Sequence, residues 1–216
     1  MPNIEMMTNN EITPDYEVMS SSDFKCMPWK NGLGSTLEIV RSDDKHGLRY
    51  RISQASVVQD GLFSDFSGLH RTLILLSGNG MLLQHSNRHD QHHQYTHQLD
   101  NALDMACFSG GDKTNAILNQ GSIDDLNIMV RDTDTSSTVT VVRAPQSLGV
   151  SSEANILLNA FYAHTECSIC LKHYSMENIQ IKLPVNSLLV IKPTQVWSLW
   201  DIVVKDGDGV LIAISK

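Results

Sequence analysis

The feature that most narrows the fold is a repeated rhythm of short alternating or wholly apolar stretches, cut by turns rich in Gly, Asn, Asp and Pro. In Leu48–Val58 the side chains of Leu48, Tyr50 and Ile52 fall on one face, and those of Arg49, Arg51, Ser53 and Ala55 on the other. Arg71–Ser77 is an apolar run of strand length, and Gly78-Asn79-Gly80 after it predicts a hairpin onto Met81–His85. A strand over Ala102–Phe108 follows, and then Gly121–Arg131, where Leu126, Ile128 and Val130 oppose Asp125, Asn127, Met129 and Arg131. A polar second face is normally wetted. In a closed barrel it lines the lumen, where polar groups mean either a ligand or a satisfied internal network. The rhythm continues through Thr138–Arg143, Asn155–Ala163, Ser168–His173, Ile179–Leu183, Ser187–Pro193, Val196–Ile202 and Val210–Ile214. No capped segment with helical spacing interrupts it.

About sixteen such strands predict an all-β protein of two barrel or sandwich halves in one compact body. Ala144–Glu153 is read as their seam, which gives an N-terminal barrel over 17–143 and a C-terminal half over 153–216 that shares strands with it. Residues 1–16 carry no periodicity and are expected to be poorly ordered, with the first strand at about Glu17–Phe24.

Charge and composition remove several function classes. With 16 basic against 24 acidic residues the net charge is −8, which is unlike a nucleic-acid footprint. No apolar run reaches the roughly 18 residues that a membrane helix needs, and the N-terminus lacks the pattern of a signal peptide, so a cytoplasmic protein is expected. Cys167 and Cys170 form a lone C-x-x-C on a strand, which sends the two sulfurs to opposite faces; with Cys26 and Cys107 they are read as reduced thiols. His85, His89, His92, His93 and His97 crowd a polar, low-complexity stretch that reads as a loop able to capture metal by chance rather than as a metal site. No metal and no cofactor are expected.

The stretch Met27–Val40, MPWKNGLGSTLEIV, is a turn that leads into a strand. Gly32 and Gly34 permit the reversal, and Trp29 and Asn31 are groups that such a turn can aim at a ligand. The alternative is that Trp29 plugs the core and the glycines merely close a hairpin. Together, this turn, the block RISQASVVQDGLFSDFSGLHRTLILLSGNG and the strand SIDDLNIMVR, with CFSGGD before it, resemble the HutD/Ves family over residues 23–131. The resemblance implies a bicupin, with two cupin-like β-barrels in one chain, associated with histidine utilisation or, in the Ves branch, with stress response. It implies a ligand pocket in the N-terminal barrel, carried over onto Trp29, Asn31, Arg51, Arg71, Asp125, Asn127 and Arg131. Leu33 stands where the family turn has a glycine, and Asp132 where it has a second arginine. The metal-binding histidine set of cupin enzymes is missing, and Trp197 occupies the place of its late histidine.

Two functions follow from these residues. The first is non-catalytic binding of a small anionic metabolite, with urocanate or formylglutamate as the kind of ligand the family suggests. Arginines on inner strands of an acidic protein call for a carboxylate partner, unless Glu38 and Asp125 satisfy them internally. The second is a metal-independent isomerase or hydrolase acting on the same kind of acid, with Asp125 as the weak catalytic candidate. Open sheet edges would also allow a homodimer.

Overall fold

The computed structural model describes residues 15–29, 34–88, 90, 92–149, 155–173, 177–192 and 200–216. Among them the chain forms nineteen strands, β1 to β19, one short 3-10 turn at Ser21–Asp23 and no α-helix. The expectation of an all-β chain is met. Contacts divide it into two units, one continuous from Asp23 to Ser136 and one assembled from the chain up to Ser22 together with Ser137–Lys216.

The second unit is built on a five-stranded and a four-stranded sheet. The first has the order β1-β17-β14-β19-β12, from Tyr16–Met19, Ser187–Ile191, Ile156–Ala163, Asp208–Ser215 and Ser136–Arg143. The other has the order β13-β18-β15-β16, from Gln146–Gly149, Trp200–Asp206, Cys167–His173 and Ile179–Leu183. Its core joins Phe161 and Leu189 of one sheet to Ile169, Leu183 and Ile202 of the other. The first strand of the chain thus pairs with β17, Tyr16 opposite Ile191, and does not join the unit that follows it in sequence. The division between the units falls at Ser136 and Ser137, ahead of the Ala144–Glu153 seam, whose residues Gln146–Gly149 form β13.

The continuous unit contains a six-stranded sheet, β2-β3-β4-β11-β6-β9, from Lys25–Pro28, Gly34–Asp44, Gly47–Val57, Ile123–Arg131, Leu69–Ser77 and Met105–Ser109. Against it stands β5-β10-β7-β8, from Gly61–Leu62, Lys113–Leu118, Met81–Ser86 and Gln94–Leu99. Leu73, Leu75 and Phe108 of the first sheet meet Met81, Leu83 and Ala116 of the second in one core. From Asp125 to Arg131 every residue of β11 is buried, so its polar face is turned away from bulk solvent as well.

One sequence expectation is corrected here. The turn Gly78-Asn79-Gly80 does not close a hairpin, because β6 pairs with β11 and β9 while β7 pairs with β10 and β8. It is the corner at which the chain leaves one sheet for the other. Gly78 has φ +97°, and a Cβ there would sit 2.5 Å from the carbonyl oxygen of Ser122, so only glycine fits the corner. The sequence reading does not include β10, between Gly111 and Asn119, or β8, whose polar sequence gives no apolar alternation, and β5 and β13 lie in stretches it takes for a turn and the seam.

Candidate functional site

Antiparallel pairing places side chains in rows across the sheet, since opposed residues share a face. Arg51, Met129 and Arg71 form one such row on β4, β11 and β6, with Phe108 of β9 continuing it. The next row is Ser53, Asn127 and Leu73, and the third is Ala55, Asp125 and Leu75. Glu38 of β3 extends the second row opposite Ser53, and a bulge just after it brings Arg41 opposite Arg51. The period-2 reading of β4 and β11 therefore assembles a polar patch on the inner face of the sheet.

That patch floors a cavity of about 650 Å³. Of the residues carried over from the sequence, Trp29, Arg51, Arg71, Asp125 and Asn127 line it, joined by Thr36, Phe63 and Phe66. Asn31 lies outside the described residues. Arg131 is corrected: it does not line the cavity and is saturated elsewhere by carboxylates. Its Nη1 and Nη2 donate to Asp44 at 2.8 and 2.6 Å, and its Nε and Nη2 donate to Asp134 at 2.8 and 2.9 Å. These bonds hold the Asp44 carboxyl well below the usual carboxylate range. Arg131 is a staple between the end of β3 and the turn after β11.

Arg71 is only 4% exposed. Its Nη2 donates to Asn127 Oδ1 at 2.6 Å, and Asn127 Nδ2 in turn donates to Asp125 Oδ1, so the amide bridges guanidinium and carboxyl. The guanidinium carbon lies 5.1, 5.3 and 5.0 Å from the ring centres of Phe63, Phe66 and Phe108, an aromatic cage that favours a cation. Its Nε–H has no hydrogen-bond partner. Burial pulls the Arg71 pKa down to about 10, an effect the Asp125 carboxylate opposes and the Arg51 charge reinforces.

Arg51 Nε stands 2.8 Å from Glu38 Oε2, an ion contact in which the N–H is not aligned on the oxygen, so neither atom gains a hydrogen bond. Asp125 is 1% exposed. Burial pushes its carboxyl up to about 7; Arg71 opposes this, Asp124 adds to it and the Asn127 bond works against it. Trp29 Nε1–H donates to Thr36 Oγ1 at 2.9 Å, and its ring also packs against the core, so it both lines the cavity and serves as a core wall. Phe108 escaped the sequence reading because its strand is shifted toward Ser109 and its only signal, its place opposite Arg71, is a pairing.

The histidine-rich stretch is corrected too. His85 lies near the end of β7 as expected, but His97 sits on the paired strand β8 and not in a loop. His89 lies outside the described residues. His85 is 2% exposed, stacked on Tyr95 at 4.5 Å, with Nδ1 2.9 Å from Thr114 Oγ1 and Nε2 3.0 Å from His97 Nδ1. The Thr114 hydroxyl donates to the Asp112 carbonyl, so it accepts from His85 Nδ1–H, which leaves His85 Nε2 to accept from His97. Burial first, and then His97, pull His85 down to about 4. Among the described residues no group of three or more His, Cys, Asp or Glu is placed to hold a metal ion.

Comparison with known proteins puts this geometry in context. An uncharacterised 21.2 kDa protein from the hutC 3′ region of Pseudomonas putida is 29% identical over 155 residues, which cover 71% of this chain and 77% of that protein. Protein Ves of Citrobacter koseri is 34% identical over 121 residues, 52% of this chain and 58% of its own length. Among solved structures, HutD from Pseudomonas fluorescens, determined in a formate condition, superposes with a TM-score of 0.72 at 24% identity and covers 93% of this chain and 98% of that one. Oxalate decarboxylase of Lactobacillus farciminis, in a formate complex, gives 0.57 at 6% identity over 92% and 85% of the two chains, a likeness of fold alone that marks the fold as cupin-like. The profile of the family described as HutD matches residues 21–210, nearly the whole chain, and the protein therefore belongs to the HutD family.

Proposed function

We propose that this protein binds a small carboxylate metabolite in the cavity between Arg51, Arg71 and Asp125 without transforming it, as a cytoplasmic sensor in histidine utilisation or stress response. One observation carries the reading. Two arginines stand inside a barrel with buried Nε–H donors that lack an aligned acceptor, a condition that costs about 1–3 kcal/mol per group or more for a charged one. A carboxylate supplies the acceptors and the charge. Trp29, Phe63 and Phe66 offer flat walls to a planar or short-chain acid. Urocanate and formylglutamate are the ligands this reading favours, and a homodimer is compatible with it.

A thermal-shift screen with urocanate, formylglutamate, glutamate and formate tests the proposal. A ligand at 100 times its Kd stabilises the fold by about 2.7 kcal/mol, which the screen resolves. Arg71→Ala and Arg51→Ala are expected to abolish the shift while keeping the folded circular-dichroism spectrum. No shift with any of these acids, or an equal shift in both variants, overturns the assignment. The second reading, a metal-independent isomerase or hydrolase, draws on the raised pKa of Asp125. Conversion of the bound acid that disappears in Asp125→Asn would replace the sensor with that enzyme.

A further inference from the structure

The floor of the cavity is balanced without a ligand. On that sheet face two cations, Arg51 and Arg71, stand among two carboxyls, Glu38 and Asp125, while Asp60 at the wall accepts from the Leu118 N–H. If both carboxyls are ionised the patch is neutral, and an entering anion leaves a buried site with one uncompensated negative charge. Glu38 is engaged by Arg51 and, at 3.8 Å, by Arg41, so it keeps its cations. Asp125 reaches Arg71 only through the amide of Asn127. It is the carboxyl that can surrender its charge without breaking an ion contact, and a proton on it leaves Arg71 free to pair with the ligand.

We infer that this site takes up its ligand as an acid in two parts, the carboxylate on Arg71 and Arg51 and a proton on Asp125. The inference rests on the carboxylate-binding reading above and adds the regulation of the same site. Asp125 thereby acts as an exchangeable counter-ion: ionised, it occupies the electrostatic place of the ligand; protonated, it yields that place. Around Asp125 the charged or titratable groups are Arg51 from β4, Arg71 from β6, Glu38 from β3, Asp124 on its own strand and Asp60 at the cavity wall, and His85 from the facing sheet feels the Arg71 charge. His85, pulled down to about 4, stays neutral between pH 6 and 8. With Asp125 at about 7 in the free protein, binding takes up about 0.1 proton at pH 6 and about 0.9 at pH 8. The apparent affinity falls about tenfold between those pH values.

The test is titration calorimetry of the full chain with formate and with formylglutamate, neither of which titrates between pH 6 and 8, in two buffers of different ionisation enthalpy. The buffer dependence of the heat counts the protons. Expected are near-complete uptake of one proton at pH 8, little at pH 6, and an affinity in Asp125→Asn that no longer falls between them. Binding with no proton uptake at pH 8 overturns this inference and leaves carboxylate binding standing. No binding at either pH overturns both. The proton count on the wild-type protein decides the matter even if Asp125→Asn does not fold.

Discussion

Replacing Asp125 by Asn tests the electrostatics of the cavity with no ligand present. Burial pushes the Asp125 carboxyl up to about 7, from an ordinary value of about 4. Because the folded value is the higher one, the folded state holds the proton more tightly than the unfolded chain. Stability that is complete below pH 4 is therefore lost as pH rises through 7. A difference of about three pH units at about 1.4 kcal/mol each amounts to roughly 4 kcal/mol, and the 1% exposure of Asp125 means that solvent screening removes little of it. Asn keeps an oxygen that can accept from Asn127 Nδ2 and cannot ionise. The stability of Asp125→Asn relative to wild type is therefore expected to rise with pH, by about 2 kcal/mol between pH 5 and 6.5, or about 1 M in urea midpoint. Of the three tryptophans, only Trp29 belongs to the unit that holds the cavity. Urea unfolding read by fluorescence in a Trp197→Phe, Trp200→Phe background reports on that unit. Parallel pH curves for the two proteins would refute the reasoning and show that Asp125 is ionised throughout the range.

Other perturbations have equally definite signs. Arg131→Ala frees the Asp44 and Asp134 carboxyls, whose pKa values Arg131 holds down; the stability lost is greatest above pH 4 and vanishes as pH falls through their folded values, while binding of formylglutamate is unchanged by calorimetry. His85→Phe removes a ring that the fold keeps neutral. Wild type loses stability as pH falls from 6.5 toward 4, so thermal melts of the variant should show a shallower acid slope. Gly78→Ala puts a Cβ against the Ser122 carbonyl at a left-handed backbone position and is expected to cost about 1–3 kcal/mol in a thermal melt, with Asn79→Ala as the mild control.

Much of the inner sheet is legible in the sequence because period 2 is a local property. Arg51 with Ser53, and Asp125 with Asn127, share a face whatever the rest of the chain does, and family resemblance adds Arg71 and Trp29. What escapes is set by pairing. Arg131 follows the same alternation as Asn127 and Met129, yet Asp44, far away in the chain, claims it at the strand's end. His85 and His97 belong to a polar run with no apolar alternation, so only the opposing strands reveal that one of them is buried. The glycines at 78 and 80 announce a turn but not which sheet receives the next strand, because a corner and a hairpin make the same local demand on φ.

The unit that carries the cavity is an uninterrupted insertion within its neighbour, because β1 and β12–β19 belong together on either side of it. A ribosome delivers β1 first, yet β17, the strand it pairs with, is among the last to emerge. Asp23–Ser136 can collapse on its own contacts during translation while β1 waits without a mate. The sheet around β17 is then completed by capturing a strand made before the whole insertion, so a tag or cleavage near Tyr16 weighs on the C-terminal half and spares the cavity next to it in sequence.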